Sequence, residues 1–295
     1  METNEKTFTS QANFHLAGII PVAGSRVDLE FPFPDVMMPI ANNYTLLDAA
    51  VVECAYAGCS AIWIICNDDT APLLRHRIGD YIEDPSYYYF NTSANRDQRK
   101  RIPIFWIPQH PKDRDKRDCL SWSVIYGSLV AFKVSSGISK WTIPDKYYVS
   151  FPYGLANPRE VMTMRRKISS PNNFYFSSNQ KTVQDNIYTS FTFGKEEFIK
   201  YRRNARKGTG HWKGDYGNME KLPLEDRWSA RFFELKDVFN DLDLDSANIL
   251  HGETYFNISS WEEYRNYMIS DYSKDIVKPP KELFSYKEFN RVAAN

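Results

Sequence analysis

The chain lacks net charge: 37 Lys and Arg offset 37 Asp and Glu over 295 residues. A balanced chain has no global field to gather nucleic acid or an anionic membrane surface. Cysteine is scarce, and Cys54, Cys59, Cys66 and Cys119 sit in apolar segments at spacings that match no zinc pattern, which excludes a disulfide scaffold and points to reduced thiols used for packing. No run approaches the roughly 20 apolar residues of a membrane span. The opening METNEKTFTSQANFHLAG has no apolar core of a secretory leader, so the expectation is a cytoplasmic protein. Internal repeats and low-complexity tracts are absent as well. What is abundant is aromatic mass: 19 Tyr, 19 Phe and 7 Trp bring the aromatic share to 15%, enough for a stiff core with aromatic-lined clefts.

The first half alternates short apolar runs with helical periodicity. Leu16–Val22 (LAGIIPV) reads as a strand buried on both faces. Thr45 then caps a helix, Asp48 completes a variant capping box, and Gly58 stops it. Ala61–Cys66 (AIWIIC) is a second strand, Thr70 and Pro72 open a helix over Leu73–Ile82, and Ile102–Ile107 is a third strand. A charged loop, Pro111–Asp118, precedes a helix from Leu120 to Val134 and a strand at Tyr147–Phe151. This order implies right-handed crossovers and a three-layer, mostly parallel α/β sheet. Farther on, Asn173–Phe176 and Ile187–Phe193 read as strands, and Glu196–Arg206, Glu225–Phe239 and Trp261–Ile269 as helices. Arg202–Gly217 (RRNARKGTGHWKGDYG) reads as an exposed, basic, Gly-rich insertion, and Lys278-Pro279-Pro280 as a linker.

In such a sheet ligands bind beyond the carboxyl ends of the strands. The loops of interest are therefore Ala23–Asn43, Cys66–Thr70, Gln109–Asp118 and Pro152–Asn157. Gly24 lets a phosphate approach the backbone and Arg26 can clamp one bidentately. Here the run Gly18-Ile-Ile-Pro-Val-Ala-Gly24, then Arg26, then Pro34-Asp-Val-Met-Met-Pro-Ile-Ala-Asn-Asn43, resembles the opening of the sugar-phosphate nucleotidyltransferases, the nucleotide-diphospho-sugar pyrophosphorylases. Tyr255-Phe-Asn-Ile-Ser-Ser-Trp-Glu-Glu-Tyr264 is similar to that family's W-x-D-I-G-T-x-E-x-Y. The resemblance spans roughly Leu16 to Tyr267 and implies a Rossmann-like nucleotide-diphospho-sugar transferase core with an elaborated C-terminal half.

The resemblance implies that Ala23, Gly24 and Ser25 hold a nucleotide's phosphates, that Gln109 reads its base, and that Arg26 is the catalytic candidate. It also shows departures. The family's catalytic Lys falls on Asp35, and its two metal carboxylates fall on Tyr153 and Asn257, so the motif is degraded where phosphoryl transfer needs cations. Mg²⁺ is the cofactor the family would imply, and the residues at the metal positions lend it little support. The domain expectation is one nucleotidyltransferase-like unit over 14–270, with a core at 14–160, an elaborated half at 161–270 and an extension at 271–295.

Three functions fit these residues. The first is a divergent nucleotidyltransferase-like protein binding a nucleotide and a sugar phosphate, or a nucleotide sugar. The second is an inactive homologue serving binding, regulation or assembly with a protein partner. The third is a glycosyltransferase using Asp68-Asp69 as a metal motif; an acidic first turn is the plainer account of that pair. His110 is a weak candidate in a cleft loop. In the 202–217 insertion, Arg202, Arg203, Arg206, Lys207 and Lys213 interleave with Tyr201, Trp212 and Tyr216, a mixture that suits stacked bases on a phosphate backbone. A solvated loop is the simpler reading in a neutral chain, so neither nucleic acid nor a membrane is expected as partner.

Overall fold

A computed structural model describes residues 14–25, 27–86, 100–208, 212–213, 220–221, 233–274, 276 and 284. The chain begins with β1 (Leu16–Pro21), buried along its whole length. A long loop leads to the short pair β2 (Pro39–Ala41) and β3 (Tyr44–Thr45). Helix α1 (Leu46–Ala57) follows: Thr45 Oγ1 accepts from Asp48 N–H at 3.3 Å, and Asp48 accepts Thr45 N–H at 2.8 Å. Gly58 ends the helix at φ 93°, a left-handed conformation that costs glycine nothing. Next come β4 (Ala61–Cys66), α2 (Ala71–Ile78), β5 (Tyr81–Glu83) and β6 (Arg101–Pro108). Then follow α3 (Pro111–Lys116), α4 (Leu120–Ile138), β7 (Lys146–Val149) and β8 (Gly154–Ala156).

The second half contributes α5 (Pro158–Thr163), α6 (Arg165–Ile168), β9 (Phe174–Ser177), β10 (Phe191–Phe193) and α7 (Lys195–Gly208). The pair β11 (Trp212–Lys213) and β12 (Glu220–Lys221) stands apart. After it come α8 (Leu235–Phe239), β13 (Asn248–His251), β14 (Tyr255–Asn257), α9 (Trp261–Ile269) and α10 (Asp271–Lys274).

Eight strands form one sheet in the order β13-β9-β10-β7-β1-β4-β6-β5. Its centre, β7-β1-β4-β6, is parallel throughout. Strand β10 runs antiparallel between β7 and β9, and β5 antiparallel on β6. Successive residues of a strand point to opposite faces, and β1 shows what covers each. A Cβ at Gly18 would lie about 3.0 Å from the Cys54 sulfur of α1, whereas the Ile19 side chain lies 3.5 Å from a Cβ built at Gly127 of α4. Helices α1 and α4 therefore cover opposite faces, which makes three layers. The chain lays β4 and β6 on one side of β1, then crosses back to lay β7 on the other. The strand order thus reverses between β1 and β7, where an open α/β sheet leaves a crevice for ligands.

Several sequence expectations are corrected. Leu73–Ile82 is not one helix: Gly79 at φ 89° breaks it, and Tyr81–Glu83 pairs with β6. Pro111–Asp118 is largely helical. Pro111 supplies the fixed φ of a first turn, and His110 Nδ1 accepts Lys112 N–H at 3.1 Å; an all-polar helix has no apolar stripe to betray it. The strand over Ile187–Phe193 shortens to Phe191–Phe193. The basic insertion is not loop from its start, because Arg202–Gly208 continues α7, whose Tyr201 and Ala205 are buried. Of Glu225–Phe239 the described helical part is Leu235–Phe239. Residues 225–232, the stretches 209–211 and 214–219 of the insertion, and Lys278-Pro279-Pro280 lie outside the described residues. No described helix is long and apolar enough to cross a membrane.

Candidate functional site

The carboxyl ends of β1, β4, β6 and β7 meet at the reversal point. Past β1, Val22 and Ala23 donate their N–H groups to Ile65 O at 2.9 Å, and Ser123 Oγ donates to Ala23 O at 2.7 Å. Ala23 is thereby pinned between β4 and the first turn of α4. Gly24, at φ 77°, is pressed so tightly on the α4 N-cap that a Cβ there would fall 2.5 Å from Cys119 N. The close approach that glycine permits is thus made by the chain's own helix terminus. Ser25 Oγ accepts Val27 N–H at 3.3 Å and shares a hydrogen bond with the Tyr153 phenol. Arg26 lies outside the described residues.

Gln109, past β6, is buried. Its backbone N–H donates to Cys66 O at 2.9 Å and its Nε2 reaches Asp118 Oδ1 at 3.4 Å, while its Oε1 is buried without a partner. At the end of the neighbouring β4, Asn67 Oδ1 is likewise buried and unpartnered. In the first turn of α4 the Trp122 indole N–H is buried unpartnered too, with Arg117 stacked 4.3 Å over its ring. Nearly all buried polar atoms in native proteins find partners, because an orphan costs about 1–3 kcal/mol. Two orphan acceptors on adjacent strand ends, with orphan donors on Arg114, Arg117 and Trp122 farther along the chain, leave this edge of the sheet with polar atoms that the described residues do not satisfy.

Asn67 and Arg114 escaped the sequence reading. Arg114 Nη2 lies 3.2 Å from Asp68, joining α3 to the β4 end, and the clue was a cation inside a segment read as a charged loop. Asp68 is thus paired, and Asp69 accepts Thr70 N–H at 3.0 Å. The Cys66 thiol below them is pushed up to about 12 by burial and the two aspartates, so it is not a nucleophile at neutral pH. His110 is spent on capping α3.

On the β7 side, Tyr153 and Asn257 do come together. Strand β14 pairs antiparallel with β8, matching Asn257 to Gly154, and Ile258 N–H donates to Tyr153 O at 2.7 Å. Asn257 Oδ1 accepts Tyr188 N–H at 3.1 Å and the Tyr255 hydroxyl at 3.3 Å. Burial drives the Tyr153 phenol well above its ordinary range, helped by the charge of Asp35. Asp35 opens a short 3-10 turn and accepts Leu29 N–H; burial and the neighbouring Asp28 raise its pKa. Mg²⁺ demands an octahedron of hard oxygens, anchored by carboxylates. A neutral phenol committed to Ser25 and an amide committed to backbone do not fit it, and among the described residues no three His, Cys, Asp or Glu gather to hold a metal.

A scan against protein-family models finds no match, and no curated protein matches in sequence. The fold is matched by solved structures. A putative glucose-1-phosphate thymidylyltransferase from Bacillus anthracis aligns over 90% of this chain and 98% of its own, at TM-score 0.51 and 10% identity. A UDP-glucose pyrophosphorylase in its apo form aligns over 89% and 100%, at TM-score 0.52 and 12% identity. The UTP-bound enzyme of Acinetobacter baumannii aligns over 96% and 99%, also at 0.52 and 12%. The chain therefore shares the nucleotidyltransferase-type α/β fold of these proteins.

Proposed function

We propose that this chain is a nucleotidyltransferase-like protein that binds a nucleotide or nucleotide sugar at the carboxyl edge of β1, β4 and β6. The observation that carries this is the pair of orphaned amide oxygens, Gln109 Oε1 and Asn67 Oδ1. Both are acceptors, so the matching ligand edge offers N–H donors, as a pyrimidine imide or an exocyclic amine does. The phosphates would then run toward Ser25, with Arg26 as their charge partner, and Trp122 N–H would take a ligand oxygen. The thymidylyltransferase and UDP-glucose pyrophosphorylases that share the fold support a nucleotide as the ligand class.

Binding without Mg²⁺-assisted transfer is the form of the function these residues favour. Asp35 places a negative charge where a phosphate-facing cation would serve, and Tyr153 and Asn257 offer no carboxylate. A regulatory or assembly role follows if binding proves to be all the site does. A glycosyltransferase reading gains nothing from Asp68-Asp69, since both side chains are engaged.

The test is a thermal-shift series with UTP, dTTP, UDP-glucose and glucose 1-phosphate, each with and without Mg²⁺. A ligand at about 100 times its Kd stabilises the fold by about 2.7 kcal/mol, which raises Tm by roughly 4 °C for a chain of this size. We expect such a shift with at least one nucleotide, its loss in Gln109→Leu, and no pyrophosphate release from any pairing. No shift with any compound removes the site assignment, and Mg²⁺-dependent pyrophosphate release abolished by Arg26→Ala restores the transferase.

A further inference from the structure

Nine large apolar side chains are exposed among the described residues, and eight of them fall in two places. Phe132, Val134 and Ile138 stand on the last two turns of α4, with Ile199 on α7, which packs against α4. These turns share one edge of the sheet. Thr142 Oγ1 donates to Ser135 O at 3.0 Å where the chain turns from α4 toward the start of β7. Strand β10 matches Phe193 to Tyr147, so α7 also begins at the amino edge of β7. The end of α4 protrudes: a Cβ at Gly137 meets nothing within 4 Å, and Ile138 is 71% exposed. The second place is α9, where Trp261, Met268 and Ile269 form one stripe, with Ile269 70% exposed. The aromatic array Phe33-Phe31-Trp261, with centroids 5.1 and 5.6 Å apart, extends it. This stripe belongs to the α1 side of the sheet, because Tyr264 and Tyr267 donate to Pro39 O and Ile40 O of β2 and Tyr272 lines a cavity with Ala49 and Glu53 of α1. The α4 patch lies in the opposite layer.

Their charges are opposite in sign. Exposed Lys133, Lys140, Lys195, Lys200 and Arg203 surround the α4–α7 patch, although Lys200 shares its charge with Asp243. Exposed Asp28, Glu30 and Glu262 surround the α9 stripe, and Lys274 there is paired with Asp271 at 2.7 Å. The exceptions match as well: Glu196 is the one exposed acid among the described side chains of α7, and Arg265 is the one cation of α9. Thus a chain with no net charge carries a basic apolar face and an acidic apolar face on opposite layers. Like charges oppose pairing of either face with itself, whereas each complements the other. An anionic lipid surface would cover the basic face alone and leave the α9 stripe in water. Contiguous apolar surface rimmed by charge marks an interaction site, and only a second copy offers a match for both.

We infer that this chain associates head to tail with itself, the α4–α7 face of one copy seating on the α9 face of the next. Such a heterologous contact closes into a ring or continues as an open chain of subunits. It is independent of any nucleotide.

The experiment is sedimentation equilibrium on the full chain, with thermal melts recorded to show that each variant is folded. Expected is a mass that rises with concentration past that of a dimer. The association constant should fall at least roughly tenfold between about 0.1 M and about 1 M salt, as the screening length shortens from about 10 Å to about 3 Å. Ile138→Asp and Ile269→Asp should each be monomeric alone, since each keeps only one working face. Mixed, they should form a one-to-one dimer and nothing larger. Lys133→Glu with Arg203→Glu should match Ile138→Asp without touching an apolar side chain. A native chain that stays monomeric at every concentration overturns the inference, as does an association indifferent to salt. Dimers of Ile138→Asp alone would mean two-fold pairing through α9, and a mixture that stays monomeric would mean the faces do not meet; both refute it. Monomeric native chain bound through Lys133 and Ile138 to phosphatidylserine vesicles would assign the basic face to a membrane instead.

Discussion

Gly24 illustrates how much one residue can decide. The sequence marks it as a place where a ligand could touch the backbone; the structure shows that contact already taken by Cys119. Its φ of 77° and the 2.5 Å gap to Cys119 N make Gly24→Ala costly on two counts. The left-handed conformation alone costs a non-glycine residue roughly 1–2 kcal/mol, and α4 must also retreat. We expect a loss of about 2–4 kcal/mol by urea unfolding; a loss below about 1 kcal/mol would show that α4 yields freely. Glu53 is a second residue with an outsized effect. It is buried on α1, accepts the Tyr148 hydroxyl at 2.6 Å and lines a small cavity with Tyr44, Leu155 and Tyr272. Burial raises its pKa above the ordinary 4.5, against hydrogen bonds from Tyr148, Ser190 and Ser150. A carboxyl raised in the folded state binds its proton more tightly there, so its contribution is full below the ordinary value and is lost as pH rises through the folded one. Glu53→Gln keeps an acceptor for Tyr148 and cannot ionise. Its stability relative to the native chain should therefore climb as pH rises above the ordinary 4.5, and unfolding curves that stay parallel at all pH values above it would refute this.

At the scale of elements, Lys146 joins the start of β7 to the end of α6. Its buried Nζ donates to Ser170 O at 2.8 Å, Asn172 O at 2.5 Å and Ile168 O at 3.4 Å, collecting carbonyls that the short helix and the turn after it leave bare. Lys146→Met strands these acceptors and should cost roughly 2–4 kcal/mol. Burial also lowers the ammonium to about 8 from 10.5. Between those values the unfolded chain holds the proton and the folded chain does not, so native stability rises with pH across that window and the rise vanishes in Lys146→Met. Denaturant titrations at about pH 7 and about pH 10 decide the matter. The elements were unevenly legible in the sequence. Strands β1, β4 and β6 announce themselves as continuous apolar runs, and Thr45, Asp48 and Gly58 bracket α1 because capping is local chemistry. Helix α3 is hidden because nothing apolar marks its face. Strand β5 is hidden because Tyr81-Ile82-Glu83 extends a helical pattern, and only Gly79 and pairing with β6 separate the two.

At the scale of the whole molecule, the candidate site was half legible. Loop positions follow from strand order, so the stretches around Ala23 to Ser25 and Gln109 could be picked out as loops of interest, whereas Tyr153 and Asn257 were singled out only by the family resemblance, and their pairing is seen only in the fold. What no sequence pattern encodes is which atoms remain unsatisfied: the orphan oxygens of Asn67 and Gln109 exist only once β4 and β6 lie side by side. The aromatic array likewise needs Phe31 and Trp261 brought together across most of the chain. Strand order has one more consequence, in time. Strand β1 is made first yet ends up in the middle of the sheet, and the neighbour on its β7 flank is more than a hundred residues behind it. A chain emerging from the ribosome must hold that apolar ribbon half-paired while all of α1 to α4 is synthesised, and the outermost β13 joins only near the end. Its vulnerability to misassembly is greatest during synthesis, before the sheet closes on its own first strand.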